Sequence, residues 1–382
     1  MSTIIRPGIE PRKTQVKEDA TSSSTLPGWA YTDEGVFVRE REDIFFRSWI
    51  YAGSVHDLVK PGDYLTTKVV NENVMVIRGE NGELRGFYNV CQHRGHELLK
   101  GVGHVASSIV CPYHGWSYST DGRLRAAPNC QHIADFSKND VRLKPVRLEV
   151  FADHFVFVNL EPEAPSMHEL AGDFEDELRR EVPDFARMRP MRVEGDSHYM
   201  STINANWKAV VDNYLECYHC TIAHPAFADL LDLPKYHHEA HGWWSRQVAP
   251  LRRPDNTAYP VAPDSKVRQA YFYWLWPGLT FNVLPGDPSW LVLFDWQPRA
   301  AGVTTTVTHF YGPPGAVLDQ QRMRYLDSVL GPEDQGLCES VQRGLSSRGY
   351  SAGRFIIDPS GFHKTEVLVH EFHRRVVESL GL

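Results

Sequence analysis

Cys91-Gln-His93-Arg-Gly-His96 and Cys111-Pro-Tyr-His114-Gly-Trp-Ser-Tyr118 are two short loops with seventeen residues between His93 and Cys111. Each offers one thiolate and one imidazole. A zinc ion accepts two of each tetrahedrally, but zinc patterns usually pair Cys with Cys and His with His. Here the two types alternate. That order suits a [2Fe–2S] cluster in which two imidazoles replace two of the four thiolates on one iron, raising its reduction potential far above that of an all-cysteine cluster. Each loop then sends its cysteine to the inner iron and its histidine to the outer one, so Cys91, His93, Cys111 and His114 are the expected ligands.

Working outward, Tyr64 to Val70 and Val74 to Arg78 alternate apolar and polar residues, and Asn81-Gly82 supplies a hairpin turn before Leu84 to Val90. This pattern predicts a small all-β domain around the cluster. Gly101-Val-Gly103-His-Val-Ala106 fits the loose dinucleotide-binding pattern, yet it lies between the cluster loops without the strand, helix and downstream acid that binding needs.

The chain has 382 residues, 42% hydrophobic and 23% charged, enough for two or three domains of ordinary globular composition. Its first 25 or so residues contain no apolar signal segment and are expected to form a loosely held arm. No run approaches the length of a membrane span. A net charge of −8 without a basic stripe argues against nucleic acid as a partner. Beyond the two cluster cysteines, Cys130, Cys217, Cys220 and Cys338 show no disulfide framework, so a reducing, cytoplasmic location is expected.

Downstream, Asn206-Trp-Lys-Ala-Val-Val-Asp212-Asn213-Tyr214-Leu-Glu216-Cys-Tyr218-His219-Cys-Thr-Ile-Ala-His224-Pro225 opens with the apolar spacing of a helix through Trp207, Val210, Val211 and Leu215. The spacing predicts Asp212, Glu216 and His219 on one helical face. His224 leaves that face unless the backbone bends or ends, which Pro225 allows. Two histidines with a distant carboxylate make a facial triad, which leaves positions open on Fe(II) for dioxygen.

Other readings of this region carry less. Glu-x-x-His is half of a bundle di-iron site, but it occurs here once. Cys217-x-x-Cys220 lacks a thioredoxin-like context, and both are expected as small core or near-site residues. His237-His238-Glu239-Ala-His241 departs from the His-Glu-x-x-His spacing and is expected as a solvated or pocket-edge cluster; the same holds for His363, His370 and His373.

The two Cys/His loops and the 206–225 segment closely resemble the Rieske non-haem iron oxygenases, alpha (terminal oxygenase) subunit, and so does Gly331-Pro-Glu-Asp334-Gln-Gly-Leu-Cys-Glu339-Ser-Val-Gln-Arg343. The resemblance implies that His219, His224 and Asp334 hold a mononuclear Fe(II), with Glu333 and Glu339 as rivals of Asp334. It puts Glu216 in place of the carboxylate that links the iron site to a Rieske histidine, with Asp212 and Asn213 beside it on the catalytic segment. In the family, subunits form a ring, so a homotrimer is implied in which His114 of one subunit meets the next through Glu216 to His219. O2 is the implied co-substrate. The chain carries no flavin, nicotinamide or plant-ferredoxin signature, so NAD(P)H acts only through a separate flavin/iron–sulfur reductase.

Ring-hydroxylating members more often have Asp where Glu216 stands. Leu215-Glu-Cys-Tyr-His219, Trp276-Pro and Glu339-Ser-Val-Gln-Arg-Gly-Leu-Ser-Ser-Arg-Gly-Tyr350 are similar to the carnitine monooxygenase branch, over roughly residues 27 to 382. That branch implies monooxygenation beside a quaternary nitrogen, ending in N-demethylation or C–N cleavage. The alternative is a dioxygenase hydroxylating the ring of an aromatic acid. Tyr214, Tyr218, Tyr273, Trp276 and Phe281 offer a cation–π cage for the small-molecule substrate, although the alternating aromatics from 271 to 281 equally suit a sheet buried on both faces.

The expected architecture is α+β: an arm at 1–44 packing on the catalytic domain, an all-β Rieske domain at 45–160, and a helix-grip-like α+β catalytic domain with an antiparallel sheet at 161–382.

Overall fold

The computed structural model describes residues 13–130, 132–192, 199–358 and 364–382; His363 lies outside them. The chain divides into two compact units, Phe45–Glu175 on one hand and the residues up to Ile44 with Asp176–Leu382 on the other.

In Phe45–Glu175 a seven-stranded antiparallel sheet runs in the order Ile50–Ser54, Phe155–Asn159, Pro145–Phe151, Leu84–Tyr88, Glu72–Arg78, Asp63–Val69 and Val102–His104. A second sheet joins Ile109–Val110, Ser117–Tyr118 and Leu124–Ala126. The anticipated hairpin is present, with Arg78 opposite Leu84 and Gly82 at φ 84°, a left-handed turn conformation open to glycine. Met75, Ile77 and Phe87 point into one apolar core with Cys91, Cys111, Trp116 and Tyr118. The glycine-rich decoy becomes the edge strand Val102–His104, which runs on into Ile109–Val110 rather than into a helix.

This unit runs to Glu175 rather than ending at 160. The following segment is tied to strand Pro145–Phe151: Arg147 donates to the carbonyl oxygens of Pro162 and Ala164, and the Met167 N–H donates to Glu149 at 2.7 Å. Phe174 then stacks on Phe151, with ring centroids 6.0 Å apart.

The other unit is built on an antiparallel sheet in the order Arg189–Met191, Val303–Gly312, Leu291–Ala300, Leu279–Val283, Gln269–Leu275, Trp244–Pro250 and His237–Ala240, with Tyr199–Ile203 also pairing to Val303–Gly312. Helix Trp207–Tyr214 starts at Asn206, whose side chain accepts the Lys208 N–H. Trp207, Val210 and Val211 are buried, and Phe372 of the C-terminal helix Val367–Leu380 meets Trp207, Trp274 and Trp276. Lys208 is wholly buried yet paired: Glu40 accepts from its ammonium group and, at 2.9 Å, from Trp207 Nε1. The α+β class is borne out.

The start of the arm is not loosely held. From Lys17 onward it is docked, because the Lys17 carbonyl accepts from His370 Nε2 at 2.8 Å and the Leu26 N–H donates to His373 Nδ1 at 3.0 Å. His370 and His373 are therefore core residues, each 1% exposed, rather than solvated ones. His237, on the edge strand His237–Ala240, and His241, just past its end, do lie exposed. No helix among the described residues is long and apolar enough to cross a membrane.

Candidate metal centres and cavity

The two Cys/His loops fold as copies of one turn. The Cys91 N–H donates to the His96 carbonyl and the Cys111 N–H to that of Trp116, each at 2.8 Å. Gly95 and Gly115 return hydrogen bonds to the two cysteine carbonyls at 2.9 and 3.0 Å, and both take φ 72°, which explains a glycine four residues after each cysteine. The cysteines end up 2% exposed while His93 and His114 face outward, their rings 4.6 Å apart. Tyr118 Oη accepts the Gln92 N–H at 3.0 Å, leaving its own proton for Cys91 Sγ at 3.3 Å. Buried thiols, outward imidazoles and a hydroxyl aimed at sulfur suit the mixed-ligand cluster, whose potential depends on such hydrogen bonds.

In the other unit, His219 Nε2 and His224 Nε2 stand 3.1 Å apart, and Asp334 Oδ1 lies 2.9 Å from His224 Nε2 and 3.6 Å from His219 Nε2. Three donors at right angles around an ion, with bonds of about 2.1 Å, lie about 3.0 Å from one another. The geometry fits a facial triad.

Each imidazole is also gripped from behind. His219 Nδ1 donates to Glu216 Oε1, and His224 Nδ1 donates to Glu333 Oε2 at 2.7 Å. Both Nε2 lone pairs are thereby aimed at the same point. Of the two rivals of Asp334, Glu333 is occupied by His224, and Glu339 accepts from the Asn204 N–H at 3.1 Å and from Gln335 at 3.0 Å. Burial alone would lower the His219 pKa, but its hydrogen bonds to Asp334 and Glu216 prevail and hold it at about 9. Burial likewise opposes the Asp334 carboxylate, yet the two imidazoles keep its pKa below the usual range.

The backbone differs from the expected single helical face. The regular helix stops at Tyr214, and Glu216 Oε2 accepts the N–H groups of Tyr218 and, at 3.2 Å, His219. His224 follows the short helix Cys220–Ala223 at φ −124°, ψ 71°, with Pro225 opening the next helix, so the break that Pro225 allows is what turns His224 toward His219. Asp212 points elsewhere: it accepts from Tyr31 Oη at 2.7 Å and from His373 Nε2 at 2.8 Å. Cys217 and Cys220 are buried, and Cys220 lines the cavity beside the triad, but they are joined by a disulfide where no disulfide framework was expected.

A cavity of about 650 Å³ opens beside the triad, and Glu216, His219, His224 and Asp334 line it. Its aromatic wall comes from Tyr214, Phe227, Tyr236, Phe272, Phe294 and Trp296. Of the five anticipated cage residues only Tyr214 contributes, along with Asn213. Tyr218 is 45% exposed and outside the cavity lining. Tyr273 and Phe281 are cross-strand partners on the sheet face opposite Phe272, where Tyr273 Oη donates to Glu177 at 3.0 Å, and Trp276 packs against Phe372.

Residues 184–381 match the catalytic domain family of the ring-hydroxylating alpha subunit, and residues 48–137 match the Rieske [2Fe–2S] domain. The chain belongs to the Rieske non-haem iron oxygenases. This oxygenase is 38% identical over 339 residues to the carnitine monooxygenase oxygenase subunit of Acinetobacter pittii, covering 87% of this chain and 89% of that one. It is 35% identical over 357 residues to the subunit of the same name from Escherichia coli K12, covering 93% of each. A solved quaternary ammonium Rieske monooxygenase in complex with L-carnitine superposes with a TM-score of 0.83 at 35% identity, covering 94% of this chain and 97% of that one. A Rieske cluster and a mononuclear iron are the cofactors of this oxidoreductase family.

Proposed function

We propose that the protein is a terminal oxygenase acting on a carnitine- or betaine-type quaternary ammonium compound. The observation that carries this reading is the cavity beside the triad. Its wall is aromatic, and its lining carboxylates Glu216, Asp327 and Asp334 outnumber the single lining guanidinium, Arg324. A quaternary nitrogen donates no hydrogen bond, so π faces and negative charge are the means of holding it. The carnitine monooxygenase relatives support the same class of substrate.

His219, His224 and Asp334 would hold the mononuclear iron, and Cys91, His93, Cys111 and His114 the cluster. Bound there, the two centres supply dioxygen activation and single electrons. The overall change adds one oxygen atom to a C–H bond beside nitrogen and releases the other as water, consuming two electrons and two protons. The electrons derive from NAD(P)H through a separate flavin/iron–sulfur reductase, in the cytoplasm. The resulting carbinolamine breaks to an amine and an aldehyde.

The chain's own residues position and insulate this chemistry. Glu216 has about four lone-pair sites, and its three bonds to Tyr218 and His219 leave one unused. That site would accept from His114 of a neighbouring subunit in a trimer, coupling the two centres through a fixed tautomer of His219. The aromatic wall keeps water from the reacting carbon.

Equilibrium binding of choline against its neutral isostere 3,3-dimethyl-1-butanol, followed by tryptophan fluorescence, tests the reading. The cation should bind at least about tenfold more tightly; equal binding would remove the basis for the assignment.

A further inference from the structure

A single run of helix supplies much of the cavity lining. Gln320–Tyr325, a π-helical stretch at Leu326–Leu330 and Gly331–Leu345 follow without a break. Arg324, Asp327, Ser328, Gly331 and Asp334 of this helix all line the cavity. Helical turns of the π type recur at functional sites because they re-aim the residues around them. The cavity's charged residues are spread along the helix: half-buried Asp334, 2.9 Å from the buried His224, follows ten residues after the exposed Arg324.

Arg324 is the one Lys or Arg among the lining residues. It makes no hydrogen bond or ion pair with another described residue, unlike Arg322 two positions earlier, which donates to the carbonyls of Asp287 and Pro288. Arg324 and Asp334 are ten residues apart, roughly 15 Å along the helix axis. Both line the cavity, and that separation accommodates a short zwitterion whose ammonium group lies beside the triad.

Resting on the quaternary-ammonium reading above, we infer that Arg324 binds the carboxylate of the substrate and makes the enzyme selective for betaines whose acid group is several bonds from nitrogen. A guanidinium fork matches a carboxylate with two parallel hydrogen bonds. Glycine betaine, with one carbon between its charges, spans the cavity poorly. A trimethylammonium acid with three carbons between them spans it well. Choline and betaine esters leave Arg324 without a partner.

The test compares a four-carbon trimethylammonium acid with its methyl ester on the fully loaded oxygenase with reductase. Wild type should favour the acid, and Arg324→Gln should lower the acid-to-ester ratio of kcat/KM about tenfold, the effect of losing one charge-assisted contact. Arg324→Lys should restore part of the ratio. Anaerobic binding followed by tryptophan fluorescence should show the same loss for the acid, independently of turnover. An unchanged ratio in Arg324→Gln, or a wild type that prefers the ester, overturns the assignment. If wild type binds and turns over neither compound, the quaternary-ammonium reading itself has failed.

Discussion

Replacing Glu333 by Gln isolates one hydrogen bond whose proposed work is to aim His224 at the iron. His224 is 2% exposed, with Nδ1 2.7 Å from Glu333 Oε2 and Nε2 2.9 Å from Asp334 Oδ1. The amide introduced by Glu333→Gln would keep an acceptor of similar shape but lose the charge that fixes the Nδ1–H tautomer and raises the basicity of Nε2. Losing such an outer partner typically costs 10- to 100-fold in metal affinity, about 1.4 to 2.8 kcal/mol. Glu333→Ala, which also frees the ring to rotate, should fall at the upper end. The assay strips the mononuclear site, retains the cluster and titrates Co(II) against a competing chelator. The reduced-cluster EPR signal serves as an internal control, since its ligands belong to Phe45–Glu175. Both variants should bind Co(II) more weakly with an unchanged cluster signal. Wild-type affinity in both, within about twofold, would refute the claim that Glu333 orients His224.

Three further predictions concern other groups. Glu216→Ala should keep the reduced-cluster EPR signal and abolish coupled turnover; retained turnover would remove Glu216 from the electron path. Asp295 is 6% exposed, and burial pushes its carboxyl pKa up to about 7. The folded state therefore keeps a proton that the unfolded chain releases near pH 4, so stability falls as pH rises from 4 to 7 and levels off above. Asp295→Asn should stabilise the protein at pH 8 by at most about 4 kcal/mol relative to pH 4, read as a Tm gain that vanishes in acid. Lys208→Met would leave Glu40 buried without its cation, at a cost of about 3 to 5 kcal/mol; Glu40→Gln in the same chain should recover part of the lost Tm.

Metal chemistry was legible in the sequence because ligands are set by residue type and short spacing. Cys91, His93, Cys111 and His114 sit in two local turns, and Pro225 marks the break that lets His224 meet His219. The cavity wall was less legible. A strand buried on both faces carries no polar alternation to say which face meets the ligand, so Tyr273 and Phe281 could not be told from Phe272, which alone of the three lines the cavity. Phe227, Tyr236 and the pair Phe294 and Trp296 of strand Leu291–Ala300 come from three separate stretches and share only a tertiary address. His370 and His373 read as solvated because their partners, Lys17 and Leu26, are hundreds of residues away. Glu333 carries a signal of its own: beside Asp334, the proposed ligand, a second carboxylate is well placed to hold His224.

The central claim is most directly tested by turnover itself. The iron-loaded protein is supplied with a reductase and NADH and offered carnitine, glycine betaine, proline betaine, choline and benzoate-like acids, while oxygen uptake is followed with amine, aldehyde and diol products. The account predicts one O2 consumed per amine released from a quaternary ammonium acid. A cis-diol from an aromatic acid, with no turnover of any amine, would contradict it.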